Sequence, residues 1–386
     1  MPDRELPARP NLEQYKKQAK DLVKSFALGN LDSLALIKRY HPRFHTLPDA
    51  DIQKAPFALT DAQLVIAREH GFESWPKFAR HVETVILTRS VASLADPVVA
   101  FIEAACVPRQ ASHNSGTLEH AEMILSRYPQ VAASNIYTAA VLADESTVRG
   151  FLSSDPKSTT AKGGPYEWDA LTYLCFSRYL RLDKSRSEAF RRTAKALLSA
   201  GAIANTGWFE KNHQPQAEWE SAIYGAAGIA QHAGMTRLLL EHGADPNDGE
   251  TPYHVPEGYD NAVLKVLVES GKLNAESMTT MLLRKADWHD EKGIQFLLEH
   301  GADPNRMTRW NHTALHQAVR RDNGVHHRHA ARPWGGPVAS QPKRRKDGDR
   351  NGRAKRQGRC AGVDRTARHC DRSSWSRATD CRLREK

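Results

Sequence analysis

Residues suited to acid–base chemistry gather in one short run, KADWHDEKG at 285–293, where Asp287, His289 and Asp290 flank Trp288. A carboxylate beside an imidazole can pass protons to and from a substrate, provided both reach one atom. Neighbouring positions on a helix point in different directions, so these groups are expected not to converge; the run reads as the polar end of a helix and the turn after it. Metal chemistry has two starting points. His326, His327 and His329, with His369 and Cys370, offer imidazole and thiol ligands, and DGDRNG at 347–352 imitates the first half of a calcium loop. The loop has Gly358 where its final glutamate belongs, and both groups lie in a strongly basic stretch unsuited to fixed geometry. The chain lacks the glycine-rich phosphate and dinucleotide signatures, the H-E-x-x-H helix and the G-x-S-x-G elbow. Neither catalytic residues, nor a metal, nor a cofactor are expected, and the chain reads as a non-enzyme. An enzymatic alternative stays open in the irregular segments 206–219 and 251–262, where His213 and His254 would be the candidates. Asn311-His312-Thr313 is a glycosylation sequon only in a secreted chain.

The elements that would position such residues are announced by a repetition. LLLEHGADPN at 238–247 returns as FLLEHGADPN at 296–305. Apolar residues at helical spacing lead to a glycine that can close the helix in the left-handed conformation, and Ala-Asp-Pro-Asn then turns the chain. Looser versions occupy Val263–Gly271 and Ala196–Gly201, so four copies end at Asn205, Asn247, Asn274 and Asn305. Alanine-rich helical segments lead into the copies, as DALTYLCFSRYL from 169, SAIYGAAGIAQHAG from 221 and MTTMLLRKADWHD from 278, and TALHQAVRRDNG follows the last from 313. The unit is helix, turn, helix, glycine and hairpin turn.

This grammar resembles the ankyrin repeat, whose T-P-L-H and L-L-L-x-x-G-A-D-x-N phrases are matched by Thr313-Ala314-Leu315-His316 and by both GADPN copies. The resemblance implies an all-α solenoid, in which each unit's single apolar face is buried only by its neighbours. A further unit is read at 136–156 and a degenerate one at 59–83. With the helix at 10–30, the latter is similar to the N-terminal segment of certain bacterial ankyrin-repeat proteins. Leu12, Tyr15, Ala19, Leu22, Val23 and Phe26 share one face of that helix, as a cap requires. The divisions are therefore a helical cap over 1–90, an array over 91–324 and a basic tail over 325–386. At 251–262 Pro256 and Gly258 fall where a first helix should run, so that helix is expected to shrink to one turn or to a loop.

Charge separates body from tail. The net charge of +10 comes wholly from residues 325–386, which hold 18 Lys and Arg against 6 Asp and Glu and leave 37 basic and 39 acidic residues before them. The tail has one leucine and no Ile, Phe, Tyr or Met, too little apolar surface to offset the entropy of ordering, and reads as disordered. Two origins fit it. KRRK at 343–346 and AKR at 354–356 would suit a nucleic-acid-binding arm. The abrupt change in mid-repeat, with the outer helix after residue 324 missing, favours a shifted reading frame. Five cysteines in no C-x-x-C pair read as reduced thiols. The charged start lacks the apolar core of a secretory signal, and the chain is expected to be cytoplasmic, monomeric and unattached to membranes.

The family resemblance implies a protein partner held on the concave surface of inner helices and turns. The candidate contact residues in this sequence are Trp208, Phe209, His213, Trp288, His289, Arg306, Arg309 and Trp310, with Met307 among them. Tryptophan and arginine are frequent anchors of interfaces.

Overall fold

The computed structural model describes residues 4–7, 9–109, 112–211 and 218–320. These divide into two compact units. The first comprises residues 4–105 and 117–134, with helices α1 (Leu12–Ala27), α2 (Leu31–Tyr40), α3 (Asp49–Lys54), α4 (Leu59–Glu69), α5 (Trp75–Ala92), α6 (Pro97–Ala105) and α7 (Glu119–Arg127). Asn11 starts α1 by accepting bonds from the amides of Glu13 and Gln14. The face of α1 that carries Tyr15, Ala19, Leu22 and Phe26 is buried, with Leu12 and Val23 at its edge. It meets Ile37, Phe44, Ile52, Val65 and Phe78 in one core, where the Tyr15 and Phe78 rings cross edge to face at 4.9 Å. The amphipathic spacing in the sequence is thus the spacing that packs.

The second unit comprises residues 106–116 and 135–320. Its helices alternate between two rows. The inner row holds α8 (Ile136–Val141), α10 (Ala170–Cys175), α13 (Ala222–Tyr224, continued by a π-helical turn at Gly225–Ile229), α15 (Glu250–His254), α17 (Ala275–Asp287) and α19 (Ala314–Arg320). The outer row runs through α9 (Glu145–Ser154), α12 (Ser187–Ser199), α14 (Ala233–Glu241) and α16 (Ala262–Glu269), and α18 (Glu291–Glu299) covers α17. A short α11 (Arg178–Leu182) links α10 to α12. Each helix packs on its successor in the same row, which is how faces too small to form a core alone are buried. The unit is a solenoid of stacked helix-turn-helix repeats.

The repeated phrase takes the same shape each time. Leu239 and Leu297 are fully buried, and their carbonyls accept the amides of Ala244 and Ala302 at 2.9 and 3.0 Å. Leu197 does the same for Ala202 at 3.0 Å. Gly243 and Gly301 both stand at φ 91°, a left-handed conformation that glycine adopts without a steric penalty. The final asparagine has a further duty. Asn205 accepts from the Asp245 amide and donates to the Gly243 carbonyl, while Asn247 accepts from the Asn274 amide at 2.8 Å and donates to the Lys272 carbonyl at 2.9 Å. Each side chain ties its own turn to the next one. At the other end of the unit, Ala143, Gln231 and His289 take left-handed φ values of 55°, 50° and 55° directly before Asp144, His232 and Asp290, which cap α9, α14 and α18.

The array is all-α as expected, with one small addition: β1 (Gly207–Glu210) and β2 (Glu218–Ser221) pair antiparallel in a hairpin ahead of α13, with Trp208 opposite Glu220 and Phe209 opposite Trp219. His316 Nδ1 meets Thr313 Oγ1 of its own repeat at 2.8 Å. The expected short helix before Pro256 is α15, with five residues.

Candidate interaction surface

The inner row is not bare along its length. Residues 106–109 and 112–116 lie against its first part as a strap. Val107 donates its amide to the Phe176 carbonyl at 3.0 Å, Arg109 Nε meets Glu210 Oε2 at 3.2 Å, and His113 Nδ1 meets the Tyr224 hydroxyl at 3.0 Å. Arg181 of α11 donates to the carbonyls of Ser115 and Gly116. No periodic pattern of residues marks this strap, since its bonds are mostly isolated polar contacts.

Trp208 was expected on the surface and is instead core. It is 6% exposed, stacked on Trp168 at 4.1 Å and crossed by Phe176 at 4.1 Å. Strand alternation explains the error: Trp208 faces inward with Glu210 and Glu220, which leaves Phe209 outward and 52% exposed. Its cross-strand neighbour Trp219, which sequence reasoning passed over, is exposed beside it. Locating the hairpin in the sequence would have revealed the pair. His213 lies outside the described residues, as do the tail and the histidine and DGDRNG groups in it.

The turn after α18 brings Arg306, Met307, Arg309 and Trp310 together at the start of α19. The Arg309 amide donates to Glu276 Oε1 at 3.0 Å, and Arg306 Nη2 lies 3.9 Å from Glu276 Oε2. The Arg309 guanidinium covers the Trp310 ring at 4.6 Å, and Trp310 leans on Tyr253 of α15 at 5.7 Å. The turn thus reaches across α17 to α15. Beneath Arg309 is a cleft of about 220 Å³ lined by Asn247, Asp248, Pro252, Glu276 and Thr280. Trp288 and His289 do not join this patch. They follow the last residue of α17 whereas Glu276 is near its first, so a helix rise of ~1.5 Å per residue separates them by roughly 18 Å.

Asp287, His289 and Asp290 do not converge either. Asp287 pairs with Arg284, and Asp290 Oδ2 meets the fully buried Lys285 Nζ at 2.9 Å. His289 forms the left-handed turn. Among the described residues there is no group of three or more His, Cys, Asp or Glu placed to hold a metal ion, and no helix long and apolar enough to cross a membrane. Cys106 and Cys175 are free and fully buried, and burial pushes both thiols up, away from the reactive thiolate.

Behind the turns, the inner row carries a line of buried charge. His254 of α15 holds Glu250 Oε2 at 3.1 Å through Nε2 and Glu257 Oε1 at 3.0 Å through Nδ1. Arg284 of α17 meets Glu257 Oε1 at 2.9 Å, pairs with Asp287 and lies over the Tyr253 ring at 4.1 Å. Gln317 of α19 donates to Asp287. Burial works to lower the His254 pKa, but the bonds to Glu250 and Glu257 outweigh it and raise it to about 9. With both ring nitrogens donating to carboxylates, His254 is a structural cation and has no lone pair to act as a base.

Residues 282–326, which include α18, the Arg306–Trp310 turn and α19, match the family model for ankyrin repeats. This segment is similar to ankyrin repeats. A 92-residue stretch of the chain is also 30% identical to the human transient receptor potential cation channel subfamily A member 1. That stretch is 22% of this chain and only 8% of the relative, so the likeness concerns one segment of a much longer protein. Ankyrin repeats generally mediate contacts between proteins.

Proposed function

We propose that this ankyrin array is a non-enzymatic scaffold that binds a protein partner through the turn side of its inner row. The observation that carries this reading is the Arg306–Trp310 turn: a guanidinium stacked on an indole, with Met307 exposed beside it, poised over the cleft at Asp248 and Glu276. Such a rigid aromatic and cationic pair loses little entropy on binding and can contribute strongly once desolvated. Phe209 and Trp219 add a second apolar ridge, while the strap covers the first part of the inner row. Trp288 and His289, at the far end of α17, would belong to a separate and weaker contact. The chain's bacterial-type N-terminal segment and its setting in the cytoplasm are part of the same reading.

The test is affinity capture with the full chain, comparing wild type with Arg309→Ala and Trp310→Ala. Both variants should lose a specific bound protein by at least about tenfold, the loss of one hot-spot contact, while thermal unfolding moves little. Capture unaffected by either would overturn the turn as the contact surface. The net +12 of residues 325–386 supports a second reading, nucleic-acid binding by the tail, with a frame-shifted origin as its rival. Binding that collapses with salt and vanishes on truncation at Gly324 would identify it.

A further inference from the structure

The line of buried charge leaves one acid without a partner. Glu220 of β2 is fully buried, and neither of its carboxylate oxygens has a hydrogen-bond partner. Charged and titratable groups face it from each surrounding element. Glu210 comes from β1, already paired with Arg109 of the strap. Asp248 comes from the turn before α15, where it accepts from Ser221 and Thr251. Glu250 and His254 come from α15. On the α13 side Tyr224 lies 5.3 Å from the His254 ring and meets His113 with its hydroxyl.

Like charges face Glu220 from Glu250, Asp248 and Glu210. Among the described residues of this line, Arg109 pairs with Glu210, His254 with Glu250 and Glu257, and Arg284 with Glu257 and Asp287. Those cations are engaged with other carboxylates. An ionised Glu220 would therefore sit out of water with no donor and beside like charges, both of which disfavour the anion. Burial first, and the Glu250 charge second, push its pKa up to about 8.

We propose that Glu220 is a proton-operated latch: the β1–β2 hairpin stays seated against α15 while this carboxyl carries its proton and unseats when the proton leaves. In the unseated hairpin the side chain is solvated and titrates near the ordinary glutamate value, about 4.3. The seated form holds the extra proton between that value and about 8, so seating weakens as pH rises through this window and levels off above it. One proton corresponds to a change of about tenfold in the opening equilibrium per pH unit. Because the hairpin presents Phe209 and Trp219, unseating would also disperse that ridge; this last consequence rests on the partner-surface reading, whereas the latch does not.

Native-state hydrogen exchange on the full chain from pH 6 to 9 tests it, with rates corrected for intrinsic exchange. Peptides spanning 207–211 and 218–221 should lose protection by about tenfold per unit up to pH 8 and then plateau, while α14 stays unchanged. Glu220→Gln, which keeps the shape and removes the charge, should flatten the profile. If that variant does not fold, the wild-type profile decides alone. A flat wild-type profile, or a Glu220→Gln profile as steep as wild type, overturns the latch. Failure of the partner-surface reading would show instead as capture indifferent to hairpin substitutions, with the exchange profile intact.

Discussion

Arg284 shows how a residue that looks functional can be structural. Its guanidinium satisfies Glu257 and Asp287 at once and covers Tyr253, joining α15 to α17 inside the array. Removing it takes a cation from Asp287 and from Glu257, the latter still held by His254, and breaking such buried pairs costs about 3–5 kcal/mol. We expect Arg284→Ala to lower stability by that order in urea titration, and Arg284→Met, which keeps packing but not charge, to be little better. At this scale the sequence was only partly readable. The sequence reading put the Arg306–Trp310 cluster in one turn, because turn residues after a recognised phrase are placed by the phrase. It misplaced Trp208 because exposure there depends on strand alternation, and 207–221 gives no clear period of two. Glu220 could not have been singled out: nothing in EWES distinguishes a buried carboxylate from a solvated one.

Among the elements, the GADPN turn was the most legible, since helix stop, left-handed glycine and asparagine all act locally. Its second role, tying adjacent turns, appears only in three dimensions. Asn247 supplies two such bonds, to Asn274 and Lys272. At roughly 0.5–1.5 kcal/mol each, Asn247→Ala should destabilise the array by about 1–3 kcal/mol, whereas Asn247→Asp, which keeps the acceptor and loses the donor, should cost about half as much; chemical denaturation of both variants checks this. The strap was illegible for the opposite reason. Its hold comes from side chains such as Arg181 and Glu210 that lie 65 to 101 residues away in the chain.

For the whole molecule, stacking makes stability a sum of nearest-neighbour contacts, so the units do not share one fate. Within the described residues α19 has α17 on one side, and Leu315 and Val319 remain 39% and 46% exposed. Amides of 314–320 should therefore exchange faster than those of 235–241, where Leu239 and Leu240 are buried between neighbours; equal protection of the two helices would contradict this. The solenoid itself was readable because its period is written into the chain, and the irregular spans around 206–221 and 251–262 were not, because there the period lapses. The asparagine joints bear on history as well as on strength. Where one side chain supplies both bonds, as at Asn205 and Asn247, a recombination event that excised or duplicated the intervening repeat would leave its boundary with the same kind of joint.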